Sequence, residues 1–227
     1  MIPGELRRHG TLDCLECGNT RADSVVVMLH GRQMQAADLA PFGESLGLAA
    51  HFVFPDAPLQ LPAGGRSWWP PAAELRAQAA QARPSDLHAF DPPGRAEARS
   101  RLRMLCDAVK HDRRLALVGF SQGGMLAMDH VLHEGDVDAL ALLSSSCIAF
   151  DDWQPRLRRL AGMPVLVAHG RNDEELSFAA GERLRDAAIA GAASVTWFPF
   201  DGGHGIPLPA WRALRGFLRH ALGTTAG

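Results

Sequence analysis

The stretch Gly119-Phe120-Ser121-Gln122-Gly123 follows an apolar run and leads directly into a helical pattern. A serine placed there can serve as a nucleophile at the tip of a sharp strand-to-helix turn, with glycines on either side letting the two elements approach closely. Such a serine needs a base, and the base needs an orienting group. In this architecture the chain order is serine, acid, histidine. Apolar MPVLVAHGRND runs into a loop carrying Asp173, and SVTWFPFDGGHGIP runs into one carrying His204 between glycines. The chemistry these residues could perform is acyl transfer. Ser121 would attack a carbonyl, His204 would move the proton, and Asp173 would fix the imidazole. Competing acids are Glu174, Glu175, Asp201 and the Asp151-Asp152 pair. Among the other histidines, His30 and His169 read as turn-stabilising, whereas His111, His130, His133 and His220 read as surface residues. An oxyanion would fall to the backbone N–H of Gln122 and to one from the loop after VVVMLHG, where Arg32 stands.

These loops must be held by a sheet. Apolar runs at Val25–Leu29, His51–Phe54, Leu115–Val118, Ala139–Leu143, Val165–Ala168 and Ser194–Phe198 predict parallel strands buried on both faces. Helical patterns alternate with them at Ala36–Leu48, Arg95–Lys110, Gln122–His133, Phe178–Ala190 and Pro209–Ala221. Leu6–Leu15 reads as an added antiparallel edge strand. The alternation predicts an α/β fold, a mostly parallel central sheet with helices on both faces, as one domain over residues 1–227 without a large cap domain. A proline-rich stretch between residues 55 and 95 breaks the rhythm. It carries Trp68 and Trp69, which read as a pocket wall, and an Ala-rich helix near Ala72–Ala82.

Composition removes other functions. The 227 residues carry a formal charge of -2, with no basic footprint for nucleic acid. The longest apolar runs, such as Val25 to Leu29, fall far short of the ~20 residues of a membrane helix, and the N-terminus lacks a secretory-type apolar stretch. Lys110 is the single lysine, so there is no Gly-Lys-Ser/Thr phosphate loop, and tyrosine is absent altogether. No HExxH or comparable ligand cluster supports metal-dependent hydrolysis, and neither metal nor cofactor is expected. Cys14 and Cys17 form a lone CxxC, open to three readings: ordinary thiols, a disulfide, or a metal site shared with His9. Sparse cysteine usage suits a reducing compartment, and a cytoplasmic location is expected.

Taken together, LHG (29–31), GFSQGG (119–124), HGRND (169–173) and DGGH (201–204) resemble the carboxylesterase/phospholipase family of α/β-hydrolases, which includes acyl-protein thioesterases. FPDAPLQLPAGGRSWW is similar to that family's Pro-Ala-Pro segment and its following Trp. The resemblance spans roughly residues 22–222 and implies Ser121, Asp173 and His204 as the triad, with the N–H groups of Arg32 and Gln122 as the hole. It also implies ester, thioester or lysophospholipid substrates and no cofactor. The sequence departs from the family at Arg32, where a small or apolar residue is common, and at Glu174-Glu175-Leu176-Ser177, where Val-Pro is common. Prolines also follow Trp68-Trp69 where an aspartate is often found. Met34, Trp68, Trp69 and Leu176 are the expected apolar pocket. The expected activity is hydrolysis of small to medium soluble esters, with a homodimer left open. The alternatives are a thioesterase or lysophospholipase with the same triad, or a ligand-binding protein on the same fold.

Overall fold

Alternate residues of Val25–Leu29 pack into two different cores, and this divides the molecule into layers. Val25, Val27 and Leu29 belong to one buried cluster, Val26 and Met28 to the other. The structure, a computed structural model, describes residues 4–70 and 84–223. The helix expected near Ala72–Ala82 lies outside the described residues.

The strands are β1 (Glu5–His9), β2 (Leu12–Gly18), β3 (Ser24–Leu29), β4 (His51–Pro55), β5 (Leu59–Gln60), β6 (Arg66–Ser67), β7 (Arg114–Phe120), β8 (Ala139–Leu143), β9 (Pro164–Gly170) and β10 (Ser194–Phe200). The helices are α1 (Ala36–Ser45), α2 (Arg95–Lys110), α3 (Gln122–His133), α4 (Phe150–Trp153), α5 (Phe178–Ala190) and α6 (Leu208–Leu222), with a 3₁₀ segment at Gln154–Leu160. Eight strands form one sheet in the order β1-β2-β4-β3-β7-β8-β9-β10, and β5 and β6 make a separate two-stranded hairpin. From β4 to β10 every pairing in the large sheet is parallel; β2 runs antiparallel to both β1 and β4. This is the mostly parallel α/β sheet that the alternation predicts. One core cluster takes the apolar faces of α2, α3 and α5, and the other those of α1 and α6.

Three local expectations change, and one open reading is narrowed. Leu6–Leu15 is not one strand but parts of two, because Gly10, at φ 59°, turns the chain between β1 and β2. The first helix stops at Ser45, and Gly47 (φ 54°) follows. β10 forms the sheet edge and is only half-buried, unlike the fully buried strand expected. Cys14 and Cys17 are three residues apart on β2, so they point to opposite faces of the sheet and enter different cores. Both are free thiols, and burial pushes Cys14 up to about 12 and Cys17 up to about 11. His9 pairs with Glu16 instead of a cysteine.

Candidate active site

Ser121 has φ 53° and ψ -118°, a conformation that L-residues rarely adopt and that the surrounding contacts must hold in place. The contacts explain why glycines surround it. A Cβ on Gly119 would lie 2.4 Å from the Gly123 carbonyl oxygen, and a Cβ on Gly123 would lie 2.3 Å from that of Leu29. The Ser121 N–H donates to the Leu143 carbonyl (2.9 Å), and the Ser121 carbonyl accepts from the Ser145 hydroxyl (2.9 Å). β7 thus delivers Ser121 at its carboxyl end, with β8 bracing the turn.

β9 and β10 deliver the other two groups from the same end of the sheet. A Cβ on Gly170 would meet the Gly202 and Gly203 carbonyl oxygens at 2.5 Å, so the two loops lie backbone to backbone. The N–H groups of Arg171 and Asn172 donate across to Phe200 and Gly202 at 2.9 and 3.0 Å. Across this seam His204 donates Nδ1–H to Asp173 Oδ2 at 2.8 Å, leaving its Nε2 free of that bond. Asp173 is buried, and its Oδ1 accepts from the N–H groups of Glu175 and Leu176 at 2.9 Å each. Burial favours the neutral acid. The His204 hydrogen bond, the two N–H donors and the nearby imidazole outweigh it, holding the carboxyl below its usual range. The rival acids stand elsewhere: Asp201 is almost wholly exposed, Glu174 and Glu175 are exposed, and Asp152 is bound to Arg95, Arg156 and His133.

On the opposite side, β3 runs into His30-Gly31-Arg32. A Cβ on Gly31 would lie 2.9 Å from the Phe120 ring and 3.3 Å from Ser121 Cβ, so this loop abuts the serine. Phe120 also packs against the His204 ring, with centroids 5.0 Å apart. Gln122 opens α3, so its N–H has no intrahelical acceptor. The Arg32 side chain is exposed.

A model of the phospholipase/carboxylesterase family matches residues 12–222. The chain belongs to that family. Membership makes it a carboxylic ester hydrolase on the α/β-hydrolase fold. The chain is similar in structure to esterase PE8, with a TM-score of 0.77 at 24% identity, covering 93% of this chain and 99% of that one. Acyl-protein thioesterase 2 of Zea mays gives 0.75 at 20% identity, over 92% and 99%. A carboxylesterase from Mesorhizobium loti gives 0.75 at 17% identity, over 95% and 98%. At these identities the likenesses speak for the fold alone. No curated protein sequence matches the chain.

Several roles in this hydrolase differ from those the sequence suggests. Trp68, Trp69 and Leu176 are 2%, 5% and 5% exposed, so they offer a substrate almost no surface. Trp68 and Leu176 act through hydrogen bonds: the Leu176 N–H holds Asp173, and the Trp68 indole N–H donates to the His30 carbonyl (2.9 Å). Met34 is half-buried and pairs with Arg66 through its backbone. His30 and His169 are wholly buried. His30 donates Nδ1–H to the Gly31 carbonyl and accepts the Ala57 N–H at Nε2, while burial lowers its pKa and keeps it neutral. His169 donates Nε2–H to the Leu176 carbonyl beside Asp173. The serines after β8 were missed by sequence reasoning: Ser144 bonds the Gly205 carbonyl and Ser145 that of Ser121. Their signal was a run of three serines at a strand end. His130 is buried, not on the surface, and His133 is half-buried.

Asp129, His133 and Asp152 have ligand-type atoms within 4.8 Å of one another. Arg95 already bridges both carboxylates, and Arg99 and the Trp153 indole also bind Asp129, so cations and N–H donors fill the places a metal would take. Among the described residues no helix is long and apolar enough to cross a membrane.

Proposed function

We propose that the chain cleaves carboxylic esters of small to medium acyl chain through an acyl-enzyme on Ser121. His204 removes the serine proton as the oxygen attacks the carbonyl. Asp173 holds the tautomer with Nδ1 protonated and stabilises the imidazolium. The backbone N–H groups of Arg32 and Gln122 receive the oxyanion. His204 then gives its proton to the departing alcohol, and water releases the acyl group by the same route. No step calls for a cofactor. The observation that carries this reading is the Asp173–His204 hydrogen bond, whose acid is buried, at the same end of the sheet as the strained turn of Ser121.

The test is hydrolysis of p-nitrophenyl esters from acetate to palmitate. The expected outcome is a peak at short chains and a loss of about 10³-fold or more in kcat for both Ser121→Ala and Asp173→Asn. The structural likeness to a plant acyl-protein thioesterase supports a second reading, thioester or lysophospholipid cleavage with the same triad. Activity that rises with chain length would favour it. Equal activity of wild type and Ser121→Ala would remove both.

A further inference from the structure

The Gln122 side chain is buried, and both ends of its amide are held by the Ser67–Trp68 segment. Its Oε1 accepts the Trp68 backbone N–H at 3.1 Å, and its Nε2 donates to the Ser67 hydroxyl at 3.0 Å. The Ser67 hydroxyl in turn donates to the Trp69 carbonyl at 2.7 Å. From this anchored segment two routes lead back to the loop bearing Arg32. Along the first, the Trp68 indole N–H donates to the His30 carbonyl, two residues before Arg32. Along the second, β6 engages that loop directly: the Gln33 N–H donates to the Arg66 carbonyl (2.8 Å) and the Arg66 N–H to the Met34 carbonyl (2.9 Å). The approach is close. Gly65, at φ 69°, has room for no side chain, since a Cβ there would lie 2.0 Å from the Gln33 carbonyl oxygen. Gln33 itself has φ 68°, so the turn beside Arg32 is held in a conformation it would not choose alone.

We propose that the Gln122 side-chain amide is a positioning group for the oxyanion hole, and that its bonds to Ser67 and Trp68 set the Arg32 N–H relative to the Gln122 N–H. The inference rests on the proposed reading of Ser121 as nucleophile and of these two N–H groups as donors. Its physical logic is that a preorganised hole stabilises charge only if both donors hold their places as the oxyanion forms. The first donor is fixed by the helix start. The second sits on a strained turn and depends on its neighbours. The four residues of this network, Gln122, Ser67, Trp68 and His30, are buried at 6%, 0%, 2% and 0% exposure, so water does not compete for their hydrogen bonds.

Gln122→Met keeps the backbone N–H and the side-chain length but removes the amide. Trp68→Phe keeps an aromatic ring and removes the indole N–H. Both would be compared with wild type and Ser121→Ala on p-nitrophenyl butyrate. A butyl trifluoromethyl ketone, which adds to the serine as a tetrahedral oxyanion, serves as inhibitor, and thermal unfolding confirms the folded state. The expected result is a fall in kcat of about 10- to 100-fold for Gln122→Met and about 10-fold for Trp68→Phe, with KM within about twofold of wild type. Ketone affinity should fall in step with kcat. A lowered melting temperature with unchanged kcat per folded molecule would overturn the inference, because a purely structural bond weakens the fold and not the hole. If Gln122→Met fails to fold, Trp68→Phe decides alone. An inert Ser121→Ala beside two unimpaired variants sinks this inference only, whereas an active Ser121→Ala sinks the functional reading with it.

Discussion

His130 lies on α3 with 2% exposure, and its Nδ1 finds no hydrogen-bond partner among the described residues. Burial pushes its pKa down to about 4, against an unfolded value near 6.5, although Glu134 and Asp129 pull it the other way. The folded protein therefore resists a proton that the unfolded chain accepts. The stability tied to His130 is complete above about pH 6.5 and is lost as pH falls toward 4. Its replacement by an apolar side chain removes an unpaired nitrogen and the titration together. His130→Leu should match wild type within about 1 kcal/mol at pH 7.5 and lose up to roughly 2 kcal/mol less on acidification to pH 5. Urea unfolding at the two pH values measures this, and equal losses would show that another group carries the acid response. The helical spacing of Gln122–His133 told nothing of this residue, because α3 is wrapped by the sheet on one side and by α2 and the 3₁₀ segment on others, so that nearly all of it is buried.

Glycines at the element scale divide into those the fold requires and those it merely tolerates. Gly123 belongs to the first group: its missing Cβ leaves room for the Leu29 and His30 carbonyl oxygens at 2.3 and 2.7 Å, where backbone cannot easily yield. Gly216 belongs to the second. It sits on the exposed side of α6 with ordinary helical backbone, and a Cβ added there would meet nothing within 4 Å. Gly216→Ala should raise stability by about 0.5–1 kcal/mol by reducing the freedom of the unfolded chain. Gly123→Ala should cost more than about 3 kcal/mol or prevent folding altogether. Thermal unfolding of the two variants side by side is the check, and a neutral Gly123→Ala would mean that the strand and helix have room to separate. The elements themselves were legible because their apolar periods are regular. The hairpin β5–β6 was not, because Leu59-Gln60 and Arg66-Ser67 are two residues each, too short for any period to show.

The molecule as a whole is tied together behind the sheet by Asp129. This wholly buried carboxylate on α3 accepts from Arg95 (2.5 Å) and Arg99 (2.8 Å) of α2 and from the Trp153 indole (2.8 Å) of α4. Arg95 also reaches Asp152 (2.9 Å) and Asp91 (2.8 Å), and these carboxylates raise its pKa against the opposing effect of burial. A buried network of this kind is weak evidence of net stabilisation, but loss of its central acid leaves two poorly solvated cations. Asp129→Ala should cost about 3 kcal/mol or more, seen as a fall in Tm of roughly 6–12 °C for a chain of this size. Its kcat per folded molecule should stay near wild type, since the network lies behind α3 and away from the Ser121 turn. An unchanged Tm would show that Asp91 and Asp152 suffice to hold Arg95, and Glu134 to hold Arg99.

The sequence by itself determined the α/β alternation, the parallel run of the buried strands, and the loops that bear Ser121, Asp173 and His204. These follow from local facts: runs of apolar residues make two-sided strands, and a nucleophile turn needs small residues at fixed offsets. Only the tertiary structure decided the rest. Strand order and loop position favour Asp173 over Asp201, but only the fold shows their surroundings: one is buried under His204 and two backbone N–H groups, and the other stands in solvent. Nor could the sequence show that Trp68 and Leu176 are almost wholly buried and hydrogen-bonded to the loops of His30 and Asp173, or that Cys14 and Cys17 enter opposite cores. Such outcomes depend on which residues from distant parts of the chain share one desolvated space, and hydrogen-bond partners far apart in sequence leave no period within it.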